Sequence, residues 1–332
     1  MQKLNASKKL DLQKLLAPAA LVILYIFFSI FGNNFFSMTT FKNILESSYY
    51  IGFMAFGVTF IIITGGIDLS LGTVMMCSAL LGAYVFKQHQ WPLVVALLLT
   101  VGVGTCFGLL NGVLVAKLKL PPFIATLGTM MMSQGFGSII TKVQSQTWPT
   151  ATEPVGGWFK QMFIRNDLFG VDGFPVGAFW LIGFFIIAAL ILHKTKFGRY
   201  TFAIGSNEEA TRLSGINVDN WKVGVYTLCG FFIGMAGIFY AAAYTTITPG
   251  TGNGQEMNGI TGVVIGGTSM SGGSGTMVGT LIGVFIMAVL KNGLSACGLQ
   301  APWQTFFTGL VVIGAVLLDI QRTKAANRVK KS

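Results

Sequence analysis

Apolar residues in this chain come in long unbroken blocks rather than in alternation or as a narrow stripe. Ten blocks stand out, at about 15–36, 49–65, 69–86, 91–116, 123–141, 176–192, 223–244, 260–270, 275–290 and 303–318. Crossing a bilayer takes about 20 apolar residues in a helix. In hydrocarbon the backbone must satisfy its own hydrogen bonds, which a helix does within one segment. The pattern predicts an all-α polytopic transmembrane bundle of about ten helices, as one domain over 1–332. The eighth block is short and Gly-rich, and fits a broken or re-entrant helix as well as a full one.

Composition supports a lipid solvent. Only 10% of the residues are charged and 53% are hydrophobic, where soluble domains carry about a quarter charged residues. The 43 glycines suit helices that approach closely in a membrane. A net charge of +11 would fit a nucleic-acid partner, but the charges lie in loops and tails between apolar blocks. No nucleic acid is expected; membrane lipid is. Lys3, Lys8, Lys9 and Lys14 precede an apolar run too long for a cleavable signal peptide. Cys77, Cys106, Cys229 and Cys297 form no CxxC or Cys/His cluster with His89 and His193. They are expected to be buried, inert thiols, with no metal, cofactor or catalytic residue.

Lys and Arg set the orientation. With the N-terminus inside and ten alternating helices, the outer side holds Lys42, Lys87, Lys142, Lys160, Arg165 and Lys291. The other sixteen of the 22 basic residues fall inside. Both termini are therefore expected in the cytoplasm, 142–175 as a periplasmic loop and 193–222 as a cytoplasmic one. The latter holds a segment of helical character, Asn207–Ser214, ended by Gly215. Asn111-Gly112, Pro121 and Gly128 recur as Asn292-Gly293, Pro302 and Gly309 at a constant offset of 181. In this topology the copies lie on opposite faces, which predicts an inverted-topology repeat.

Two motifs carry polar groups into the apolar blocks. Gly65-Gly66-Ile67-Asp68-Leu69-Ser70-Leu71-Gly72 sets a carboxylate between two helices. Asp68 and Ser70 are expected either to cap the next helix or to line a path, as intramembrane ionisable groups usually do. The run Gly266–Gly275 lacks the Lys of a nucleotide-binding P-loop. It is expected either to be a flexible turn or to pack backbones around a path.

A third run, Phe197-Gly198-Arg199-Tyr200 with Ala203–Ile216, resembles the cytoplasmic loop of the ribose-type monosaccharide permeases of ABC importers. The Gly65–Ser70 and Gly266–Gly273 motifs and Asn292-Gly293-Leu294 resemble that family too, over about 43–319. The resemblance implies a permease dimer (a homodimer favoured), a cytoplasmic ATP-binding subunit and a periplasmic sugar-binding protein. It implies a coupling helix at Ser206, Asn207, Glu208, Glu209, Ala210, Thr211, Arg212, Leu213, Ser214 and Gly215. Candidates for the translocation path are Asp68, Ser70, Asn111, Glu256, Asn258, Thr268, Ser269 and Asn292. One departure stands out: the family's Glu-Leu-Asp-Ala run reads Glu256-Met257-Asn258-Gly259 here, without the second carboxylate. The main alternative is an ion-coupled secondary sugar carrier, which needs intramembrane acids or bases as relays. Asp68, Glu256 and Lys291 are the nearest such groups, all close to block ends.

Overall fold

Ser37 starts the most deeply buried of the long helices by accepting the Thr40 N–H on its side chain, and the chain then runs unbroken through Met38–Ile63. The computed structural model describes the backbone of residues 2–168 and 171–329, and side chains over 16–165, 173–317 and 319–321. Lys330 and Lys331 of the expected cytoplasmic tail lie outside the described residues. In order, the helices are α1 (Gln2–Phe31), α2 (Met38–Ile63), α3 (Leu71–Gln88), α4 (Leu93–Gly112) and α5 (Pro122–Ile140). A π turn, Val113–Lys117, closes α4. Across 142–175 lie β1 (Gln146–Thr147), α6 (Trp158–Phe163), β2 (Asn166–Leu168) and β3 (Val171–Phe174). Then come α7 (Gly177–Lys194), α8 (Lys196–Ser206), α9 (Glu208–Leu213) and α10 (Val218–Tyr244). The chain ends with β4 (Thr246–Ile247), α11 (Gln255–Ile265), α12 (Met277–Ala296) and α13 (Ala301–Val329).

A helix stands at each of the ten apolar blocks. Seven of them among the described residues are long and apolar enough to cross a membrane: α2, α4 with its π turn, α5, α7, α10, α12 and 301–321 of α13. The apolar part of α1 is shorter, Leu16–Phe31. With 11 residues, α11 rises about 16 Å, half of a hydrocarbon core. Several block boundaries were misplaced. Helix α2 starts eleven residues before its apolar block because Thr39, Thr40, Lys42, Asn43 and Glu46 continue the same helix.

Helices α2 and α10 form the centre and run antiparallel. Phe53 stacks on Phe239, Phe56 meets Phe232 edge-on, and a Cβ at Gly57 would touch the Cys229 backbone. Each carries a unit packed in the same way: α3 on α4 and α5, α11 on α12 and α13. The units exchange partners, α10 lying along α4 and α2 along α12. The register is shared too. Gly104 of α4 meets Gly234 of α10. Adding 181 to the first and subtracting it from the second gives positions 285 and 53, and α12 meets α2 at the adjacent Val284 and Gly52.

The 142–175 segment is not a solvated polar loop. Trp148 is fully buried, donates its indole N–H to Ala79 O at 3.0 Å and stacks on Phe159. Strand β1 pairs with β4. Glu153 accepts from Lys87 at 2.8 Å, which holds its carboxyl below the usual range. The thiols divide: Cys77 and Cys229 are buried as expected, but Cys106 is exposed and Cys297 partly so, because they sit on outward faces of α4 and the end of α12.

The α4–α10 crossing sets a test. A Cβ at Gly104 would lie 2.6 Å from Gly230 O, whereas one at Gly102 would meet nothing within 4 Å. Overpacking a tight contact costs about 1–3 kcal/mol. Gly104→Val is expected to lower the thermal midpoint of the detergent-solubilised chain by several degrees, and Gly102→Val to leave it nearly unchanged. Equal midpoints would show that the helices do not depend on this approach.

Candidate functional site

The sequence-predicted polar residues do not gather into one cluster. They fall in three places, fixed by which helix end carries them.

The first is the α2–α3 turn. Asp68, Ser70, Asn111 and Thr129 are shielded from solvent. Asp68 Oδ1 accepts from the Ser70 N–H at 2.8 Å and its hydroxyl at 2.6 Å. Asn111 donates to Asp68 Oδ2 at 3.3 Å and to Ser70 Oγ at 2.9 Å, and accepts from the Thr129 hydroxyl at 2.6 Å. The capping expectation is thereby corrected. Ser70 precedes α3 without a side-chain cap bond, because its hydroxyl is drawn back to Asp68. The network ties three elements together: the turn, α4 and α5. The sequence reasoning missed its α5 members. Thr126, Thr129 and Ser133 lie on one face at i, i+3, i+7 and are fully buried. Thr126 accepts the Leu69 N–H, and Ser133 bonds Thr73. That polar spacing inside an apolar block was the available signal.

The second place joins Gly266–Gly275 to the segment 193–222. Gly273 donates to Ile63 O at 2.8 Å, and Gly272 and Gly273 abut Gly205 and Ser206 at the end of α8. Ser269 and the Met270 N–H donate to Asp319 Oδ2 on α13, at 3.4 and 3.1 Å. Asp319 was not among the sequence candidates. Thr268 is buried here, its hydroxyl without a hydrogen-bond partner among the described residues. Helix α8 also went unforeseen, but α9 lies where the sequence put a short helix. Asn207 caps it by accepting the Ala210 N–H at 2.9 Å, and Gly215 follows at φ +82°, where glycine carries no Cβ penalty. Thr211 is buried, bonding Asn207 O. Ser214 folds back onto Ala210 O. Arg212 pairs with Asp219 at 2.8 Å and Glu208 at 3.3 Å. Burial works against ionisation of Glu208, but bonds from Lys222 and Arg212 prevail and hold its carboxyl below the usual range. Glu209, Ala210 and Leu213 face outward. Leu213 is 84% exposed, an unusual place for a leucine beside paired charges.

The third place is the first turn of α11 together with the end of α12. Glu256 is buried: Oε1 accepts the Gly254 N–H at 2.9 Å, and Oε2 lies near Gly72 without a hydrogen-bond partner among the described residues. Asn258 bonds Gln255 at 3.1 Å and lines a cavity of about 600 Å³ beside α13. Asn292 donates to Ser47 Oγ at 3.1 Å and faces a separate polar cavity of about 350 Å³ with Asn33, Ser37 and Asn43.

Comparison with known proteins adds the context. The model of the family described as branched-chain amino acid transport system / permease component matches residues 40–316. The chain is 40% identical over 312 residues to the ribose import permease protein of Bacillus subtilis (strain 168), covering 94% of each. It is 38% identical over 306 residues to that of Escherichia coli (strain K12), covering 90% of this chain and 91% of that one. It is 33% identical over 327 residues to the fructose import permease protein of Rhizobium meliloti, covering 95% and 90%. No solved structure matches.

Replacing Asn111 by Leu would strip a buried carboxylate and the Thr129 hydroxyl of a partner. Such a loss costs about 1–3 kcal/mol, more for a charged group. Asn111→Leu is expected to lower the thermal midpoint clearly, while Asn292→Leu, at the equivalent repeat position but half-exposed, costs less. The reverse ranking would remove the network from the account of the turn.

Proposed function

The chain belongs to this family of transport-system permease components, and from that membership we infer that it is the sugar-conducting permease of an ATP-driven monosaccharide importer. It is a multi-pass protein of the bacterial inner membrane. The observation that carries the reading is the end-to-end similarity to permeases named for ribose import, which favours ribose over the fructose named for the third relative. A transport subunit needs no catalytic residue of its own. Hydrolysis falls to a cytoplasmic ATP-binding subunit, and a periplasmic binding protein delivers the sugar.

Ten helices cross the membrane in this proposal, both termini lie in the cytoplasm, and α2–α5 and α10–α13 are inverted repeats. The antiparallel α2–α10 pair, the shared register and the basic residues concentrated on the 193–222 side support it. Two copies form the working unit, with the sugar passing between or beside them. The ATP-binding subunit docks on α9, where Leu213, Glu209 and Ala210 lie exposed. Movement of α9 reaches the membrane through α8, whose last residues touch both Gly272–Gly273 and the end of α2. Each nucleotide state then drives alternating access by favouring one arrangement of these contacts.

Two experiments check this. In a chain lacking Cys106 and Cys297, a cysteine at exposed Ser214 should label with an impermeant reagent from the cytoplasm alone, and one at Thr152 from the periplasm alone. The opposite pattern would overturn the orientation. Glu209→Lys and Leu213→Glu alter exposed residues, where a folded chain loses little stability. Both variants should reach normal membrane abundance but lose ATPase association and sugar uptake, since an unpaired charge in a closed contact costs several kcal/mol. Full association and uptake in both would remove α9 as the docking element.

A further inference from the structure

We propose that the cavity between α11, α12 and α13 is a transit site that binds a neutral monosaccharide within the permease itself. The proposal rests on the importer reading above and goes beyond it by placing the sugar on named residues.

Residues 245–254 and α11 together make one interrupted crossing. Strand β4 holds the first part against β1 at the 142–175 end. The chain then dips inward: Gly250 O accepts from Gln134 at 3.3 Å, and Gly252 lies against Gly72 near the start of α3. Lys87, fifteen residues further along α3, marks the level of the 142–175 segment through Glu153. Gly252 therefore lies about 20 Å below that level, at 1.5 Å per helical residue. Helix α11 starts there, and its first turn opens onto a cavity of about 600 Å³, within the usual range for small-molecule sites. Transporters commonly place substrate at such interrupted helices, at membrane depth.

The lining suits a polyol. Gln255, Asn258, Gln304, Thr305 and Thr308 contribute amides and hydroxyls, each able to donate and accept, as sugar hydroxyls require. Lys291 completes the wall. It donates to the hydroxyls of Tyr50 and Tyr244 at 2.6 and 3.3 Å, which leaves one of its three protons. No carboxylate lines the cavity among the described residues, since Glu256 turns toward Gly72 and position 258 is Asn. Along α13 the polar residues come first, and Val312 and Ile313 form an apolar floor against which a sugar ring face can rest.

The fold does not demand this polarity. The 181-residue offset takes Lys291 to Leu110, Gln304 to Phe123, Thr305 to Ile124 and Thr308 to Leu127. Of these four, Leu110 lines an apolar groove of about 560 Å³ between α4 and α5, together with Met132 and Phe136. The first unit is apolar at all four of these positions, and the polar set belongs to the second.

Gly309 gives the test. It lines the cavity, and a Cβ there meets nothing within 4 Å. The Gly309→Cys permease, lacking Cys106 and Cys297, is assembled with its ATPase in proteoliposomes and labelled with an impermeant thiol reagent. D-ribose, D-galactose and D-fructose are added up to 100 mM, without binding protein, so that docking cannot shield the site. Protection by a sugar that the complete importer takes up is the expected result. Asn258→Ala and Gln304→Ala should each raise the protecting concentration about tenfold, the loss of roughly one hydrogen bond. Unchanged labelling at every sugar concentration, in an importer with working uptake, overturns the transit site and leaves the importer reading intact. Protection that ignores both variants overturns the residue assignment. A complete system that takes up none of the three sugars overturns the importer reading, and this site with it.

Discussion

The antiparallel contact of α2 with α10 is the constraint on which the other elements depend. Between lipid tails no hydrophobic driving force separates protein from solvent, and helices associate through close packing. Aromatic rings fill this contact at Phe53, Phe56, Phe232 and Phe239, and Gly57 admits the Cys229 backbone. With these two helices fixed, α4 docks on α10 and α12 on α2 in one shared register. Glycine supplies the approach in both units: Gly104 and Gly108 against Gly230, Gly262 against Gly283.

That scaffold permits irregular backbone at membrane depth, where each unsatisfied group is costly. The α2–α3 turn is satisfied by Asp68, Ser70, Asn111 and the α5 threonines, all sealed from solvent. The segment before α11 is satisfied in part by Gln134 and Glu256, and it borders a cavity of about 600 Å³ whose wall carries several amides and hydroxyls. The α3–α5 unit spends its polar side chains on that network, and the α11–α13 unit sets several of its own on the cavity wall. The glycine-rich 266–275 segment lies between α8 and α13, held by Ile63 O at one side and Asp319 at the other.

Much of this was legible in the sequence because lipid imposes a simple rule on it: each of the ten apolar blocks became a helix. The 181-residue offset that relates the contacts of α4 with α10 and α12 with α2 was legible from Asn111, Pro121 and Gly128 and their partners, and α9 from Asn207 and Gly215. What stayed hidden depended on packing rather than on solvent. The first turns of α2 are polar yet helical. Trp148 is buried inside a stretch that reads as polar loop. Thr126, Thr129 and Ser133 serve a turn 57 or more residues away. Gln304, Thr305 and Thr308 dissolve into an apolar average and gain meaning only beside α11. The eight path candidates, taken as a set, scattered to three places because sequence proximity to a block end says nothing about which neighbour a side chain meets.

Uptake of labelled ribose into proteoliposomes separates an ATP-driven importer from an ion-coupled carrier. Uptake is expected only when the chain is joined by its ATPase, binding protein and ATP, with none by the chain alone under an imposed proton gradient. Ribose accumulation by the chain alone, driven by protons and indifferent to ATP, would contradict it and establish a secondary carrier.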